Sequence, residues 1–125
     1  QAAAERETRE EVGVDLSHAE LLGQLHDLQA GVRVLSPLVL SAFVYRVDTP
    51  PPLTLNHEVQ EALWVPAARL TDAQQHVDHR WGPGRFPGIV VGDPTRHVVW
   101  GLTYQLVGQL FELVGIRLPT STPTR

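Results

Sequence analysis

The sequence predicts an α/β fold on three observations: a helix-forming N-terminal segment closed by a glycine, two dense apolar runs of strand character, and a helical apolar periodicity near the C-terminus. Residues 1–12 are rich in alanine, glutamate and arginine, all good helix formers, and Gly13 stands where a left-handed cap would end the helix. Residues 19–28 and 35–47 are apolar, include Val39, Phe43, Val44, Tyr45 and Val47, and are flanked by Gly31 and Pro37, so they read as buried strands that pair with each other. Pro50, Pro51 and Pro52 predict a stiff surface turn, and residues 58–66 a further short strand ending in Trp64 and Val65. Residues 67–70 read as a helical turn. Residues 71–96, rich in His, Asp, Arg, Gly and Pro, read as loops with one short strand at 88–91. From His97 to Val114, the positions Val99, Leu102, Leu106, Leu110 and Leu113 recur at three- and four-residue spacing and predict an amphipathic helix on the sheet, ended by Gly115. With no internal repeat, one domain over residues 1–118 is expected, followed by a flexible tail at 119–125.

Composition narrows the function. The chain has 125 residues, 42% hydrophobic and 19% charged, enough for one core. Fourteen acidic against ten basic residues leave a formal charge of −4, without the basic footprint of nucleic-acid binders. The absence of cysteine excludes disulfide scaffolds, thiolate zinc sites and cysteine nucleophiles, and is compatible with the cytoplasmic location expected here. Every basic residue is arginine, which excludes Schiff-base and phosphate-loop lysines. The longest apolar run, residues 38–47, is broken by Ser41 and Arg46 and is too short to span a bilayer, so neither a membrane segment nor a signal peptide is expected. Because the chain lacks methionine and starts inside a helix, it is expected to be a piece of a longer protein.

The chemistry concentrates in Arg6-Glu7-Thr8-Arg9-Glu10-Glu11-Val12-Gly13-Val14. On a helix Glu7, Glu10 and Glu11 converge on one face within reach of a common cation, and hard divalent ions prefer such oxygen ligands. The plainer reading is a solvated helix face, since Glu5 with Arg9 and Arg6 with Glu10 stand at ion-pair spacing.

The whole string, with its terminating glycine and following apolar strand, resembles the second half of the Nudix box. Arg6, Glu7, Glu10, Glu11, Gly13 and Val14 match that pattern in register, Thr8 replaces a usual aliphatic residue, and Ala2 to Ala4 fit the small residues before it. The box glycine and first glutamate would lie upstream of Gln1, so the resemblance implies a Nudix-like α/β/α sandwich around a mixed sheet that lacks its N-terminal strands. A sheet edge left open in this way would favour a homodimer. The acidic helix and the C-terminal helix would pack on opposite faces of that sheet. The resemblance extends to residues 58–66 and to Trp100-Gly101-Leu102-Thr103, which is similar to the coenzyme A diphosphatase branch.

The resemblance implies a hydrolase that uses Mg2+ or Mn2+ and an activated water to cleave the diphosphate of a nucleotide conjugate, coenzyme A or a derivative among them. Carried over by position, Glu7 and Glu11 are the main metal ligands, Glu10 a further ligand or water contact, and Arg6 the residue that orients them. The rival reading is a catalytically silent Nudix-like module that binds a nucleotide or a protein.

Several other groups are weaker candidates. Glu58 and Glu61 could supply a general base or an extra metal contact, or be plain turn residues. His76, Asp78 and His79 lack a third strong ligand for zinc. Residues 82–88 read as a decorated loop rather than a dinucleotide fingerprint, because their spacing is wrong and their prolines remove donors. Arg80, Arg85 and Arg96, with Trp81 or Phe86 as a stacking surface, are candidates for substrate phosphate and base. Trp64 and Trp100 are expected in the core. Gly101 and Gly108, each costing a helix about 1 kcal/mol against alanine, are expected to pack closely on the sheet.

Overall fold

Strong helix formers fill α1 (Ala2–Val12), and Gly13 closes it at φ 73° and ψ 17°, with its N–H donating to Arg9 O at 3.0 Å. The protein is described here from a computed structural model covering residues 1–30 and 38–120, in which the chain divides into two compact units. The expected strand residues 31–37, with Gly31, Leu35 and Pro37, lie outside the described residues, as do residues 121–125 of the expected tail.

The first unit comprises residues 1–27 and 39–64. Its ladder joins β1 (Glu20–Gln24) to β4 (Phe43–Arg46) in antiparallel register, Leu21 facing Tyr45 and Gln24 facing Phe43, so the two expected strand regions do pair. The register shifts between Leu21 and Gly23, a bulge that leaves Leu22 exposed. Glu20 and Arg46, opposite each other, approach to 3.6 Å. Each expected strand is interrupted, at residues 25–27 and at Ser41 and Ala42. There Asp27 accepts bonds from Gln24 Nε2 at 3.1 Å and Ser41 Oγ at 2.9 Å. The remaining halves, β2 (Leu28–Ala30) and β3 (Leu38–Leu40), form a separate two-stranded ladder.

The expected strand at residues 58–66 does not form. Asn56 diverts the backbone into a local turn, accepting Glu58 N–H on its side chain at 2.9 Å and Val59 N–H on its carbonyl at 3.3 Å. Trp64, expected in the core, is 53% exposed and donates its indole N–H to Pro51 O at 3.2 Å.

The second unit comprises residues 28–38 and 65–125. The expected helical turn is α2 (Ala67–Leu70), followed by a 3-10 turn at Ala73–Gln75 that Asp72 caps through Gln74 N–H at 3.0 Å. The region read as loops instead holds the protein's longest ladder, β5 (His76–Trp81) against β6 (Gly84–Val90), joined by a two-residue turn at Gly82 and Pro83. Polar residues masked these strands, because His, Asp and Arg interrupt the apolar pattern along β5. Pro87 is tolerated because it lies before β6 acquires its second neighbour at Gly88.

The expected helix start at His97 is instead β7 (Val98–Trp100), antiparallel to β6, and the helix α3 is Gly101–Leu113. Gly101 makes that break at φ 65° with open space around it, so it turns the chain rather than packing closely. Gly108 likewise meets only Leu118, at an ordinary 3.8 Å. The far end of α3 closes through Gly115 N–H to Glu112 O and Ile116 N–H to Phe111 O, the paired bonds of a Schellman cap. The helix packs on β6 and β7 and contributes the buried Phe111, while Ile89 of β6 is fully buried.

The α/β class is borne out, while the sheet expected as mixed is found as antiparallel ladders, β1–β4 and β5–β6–β7. Within β5–β6–β7 the short connections permit only this, since a parallel pair needs a crossover of about a dozen residues or more. Gly13→Ala should lower stability by about 1–2 kcal/mol from the left-handed backbone alone. It should lower it further because the new Cβ would stand 2.9 Å from Thr54 Cβ. Urea unfolding followed by circular dichroism measures both.

Candidate metal and catalytic site

Around α1, Ala4, Thr8 and Val12 are half-buried on one side while Glu7 and Glu10 are exposed. At about 100° per residue, Glu11 falls on the boundary between the two sides and is itself half-buried, with Glu7 beside it and Glu10 further out. Thr8, in the place of an aliphatic residue, satisfies its hydroxyl by donating to Ala4 O at 2.8 Å. No ion pair joins Glu5 to Arg9 or Arg6 to Glu10 among the described residues, so Arg6 is not bonded to the carboxylates it was expected to orient.

The C-terminal end of α1 is held from outside the helix. Thr54 N–H donates to Val12 O at 2.8 Å and Asn56 N–H to Glu11 O at 3.0 Å, filling two carbonyls a helix end leaves open. This contact ties the turn bearing Glu58 to the backbone of Glu11. The Glu58 carboxylate is exposed, 4.0 Å from His57 Nε2, and Glu61 is exposed further along the same segment. Sequence reading missed Thr54 and Asn56, whose bonds use main-chain groups that no side-chain pattern reveals.

Beyond Gly13, Asp15 accepts Ser17 N–H at 2.9 Å, and that bond holds its carboxyl below the usual aspartate value, with smaller help from His18 and Arg9. A cleft of about 220 Å³ there is lined by Arg6, Arg9 and Asp15 among others, and a larger one of about 510 Å³ by Asp15, His18, Glu20, Arg46 and Asp48 among others. Glu7, Glu10 and Glu11 line neither.

The other candidates separate. Arg80 and Arg85 face each other across the β5–β6 hairpin, whereas Arg96 sits in the turn before β7 with Nε 3.9 Å from Asp93. His76 and His79 project to opposite faces of β5. His76 is buried with Nε2 2.7 Å from Leu70 O, and His79 stacks on Trp100 at 4.8 Å. No group of three His, Cys, Asp or Glu residues that could hold a metal is found among the described residues, and this divided histidine pair is no zinc site.

For a divalent ion on α1 the donor chemistry fits: Glu7 and Glu11 offer hard oxygens one turn apart. Magnesium is typically held by one or two carboxylates together with waters and substrate phosphate.

The chain matches the NUDIX domain over residues 1–84, more than half its length, and it belongs to that family. The family is one of pyrophosphohydrolases acting on nucleotide conjugates, generally with Mg2+ or Mn2+. No curated protein and no solved structure matches it. No described helix is long and apolar enough to cross a membrane.

Asp15 gives this region a checkable pH dependence. Because its folded value is depressed, its contribution is fully present above the ordinary aspartate value and is lost as pH falls through the folded value. An NMR titration of the side-chain carboxyls should find Asp15 below the ordinary range. Ser17→Ala should reduce the shift without abolishing it, since the backbone N–H, its largest cause, stays while the Ser17 hydroxyl, the next, is lost.

Proposed function

We propose that this chain is a metal-dependent diphosphatase that cleaves the diphosphate linkage of a nucleoside diphosphate conjugate with water as the nucleophile. Trp100-Gly101-Leu102-Thr103 makes coenzyme A the first conjugate to test. The observation that carries the reading is the pinned end of α1, where Glu11 and the Glu58 turn are joined through the Asn56 to Glu11 backbone bond of 3.0 Å.

Glu7 and Glu11 would hold Mg2+ or Mn2+, with Glu10 as a further contact. When bound, the ion neutralises phosphate oxygens and makes a coordinated water more acidic. The oxygen of water forms a bond to phosphorus, the bridging P–O bond breaks, and the proton released passes to a carboxylate, for which Glu58 and Glu61 are the candidates. Because the Glu58 turn is fixed to main chain, its geometry does not depend on a long side chain finding its place. Arg6, exposed on α1, contributes positive charge beside the carboxylates.

The test is release of phosphate products from nucleotide conjugates that include coenzyme A, with Mg2+ and with chelator, comparing the chain with Glu11→Gln. Metal-dependent cleavage should fall at least about 100-fold in the variant, the scale of losing one electrostatic element of such a site. No turnover of any conjugate by a folded chain would overturn the reading and leave α1 as the surface of a binding module.

A further inference from the structure

A cleft runs beside α3, built wholly within the second unit. Its volume is about 350 Å³, near the lower end of the range for small-ligand sites. Tyr104, Gly108 and Glu112 follow one another along α3 at one-turn spacing, with Gln105 and Gln109 beside them, and all line the cleft. Its other wall is Arg117 and Leu118, because the cap at Gly115 turns the chain back along the helix.

Several features of this cleft go unused by the fold. Gly108 stands within α3, where glycine weakens a helix, yet a Cβ there would meet only Leu118 Cδ1, at an ordinary 3.8 Å. No packing contact therefore requires the glycine, and its missing side chain leaves the floor of the cleft open. The Glu112 carboxylate and the Arg117 guanidinium are exposed, and among the described residues neither has an ion pair, with the other or with any third group. The Gln109 amide leaves Oε1 buried with no hydrogen-bond partner among the described residues, a cost that a ligand donor would recover once the amide turns toward it.

We infer that this cleft binds a free α-amino acid with an apolar side chain. The ligand carboxylate pairs with Arg117 and its ammonium with Glu112, while its side chain lies on the floor between Gly108 and Leu118. Opposite charges that line one small cleft without pairing with each other suit a compact ligand bearing both signs. A phosphate would set an anion against Glu112, and a simple cation would leave Arg117 unmatched. The site shares no residue with the proposed diphosphatase site and stands whether or not that reading holds.

L-leucine titrated into the chain by calorimetry should bind saturably, and two-dimensional NMR should place the shifted amides at Gly108, Gln109, Glu112 and Leu118. Isocaproate, which lacks the ammonium, and isoamylamine, which lacks the carboxylate, should each bind at least about 10-fold more weakly, the scale of one charged hydrogen bond. Glu112→Gln and Arg117→Gln should weaken L-leucine to the same extent, and Arg117→Lys should recover part of the loss. Gly108→Leu should abolish binding by filling the floor without lowering the melting temperature, because leucine is a better helix former than glycine. Binding lost in that variant is loss of the cleft and not of the fold.

Absence of L-leucine binding would overturn the proposal, as would equal binding of either singly charged analogue. Shifted amides confined to the first unit, or full binding by Gly108→Leu, would overturn it by assigning the ligand to another place.

Discussion

The contact between Gly13 and Thr54 constrains the first unit more than any other. Only glycine accommodates both the left-handed backbone at φ 73° and a neighbour that would stand 2.9 Å from a Cβ. Because the two approach so closely, Thr54 and Asn56 reach the open carbonyls of Val12 and Glu11, and the helix end is satisfied by main chain instead of water. The acidic residues gain their setting from this. Glu11 is held half-buried at a fixed end, Glu7 and Glu10 remain in solvent, and the turn bearing Glu58 cannot drift from the helix.

The second unit is organised by glycine and aromatic residues together. Gly84, opposite Trp81, leaves the space that the Phe86 ring fills, and Gly88, opposite Trp100, leaves the space that Val98 and His79 fill, so the rings gather closely on one face. The other face holds the buried Ile89 and His76. The carbonyl of Leu70 can only accept, so His76 carries its proton on Nε2 when neutral, and its buried Nδ1 has no partner among the described residues. Arg69 ties α2 to the end of β6 through Val90 O at 3.2 Å, a link between elements that no local propensity encodes.

Elements whose signal is local were legible. The composition of residues 1–12 and the glycine after them marked α1, and the apolar runs marked the β1–β4 pairing. Elements whose signal is long-range or one-sided were not. The β5–β6 hairpin looked like loop because its strands alternate His, Asp and Arg with Val and Trp, and such strands are stabilised by cross-strand pairing that exists only once the hairpin closes. Residues 58–66 looked like a strand because their apolar content was right, yet Asn56 offered the backbone a nearer partner.

The sequence by itself determined the α/β class, the acidic helix with its left-handed end, and membership of the NUDIX domain family, since each rests on residue types at fixed local spacing. Tertiary structure decided the rest. It decided which α1 carboxylate is half-buried, that Asn56 is tied to the backbone of Glu11, that His76 and His79 are divided between two faces, and that three aromatic side chains meet at Trp100. The physical reason is common to all four: each depends on main-chain bonds or packing between residues distant in the chain, and the free energy of such contacts appears only when the backbone has already brought them together.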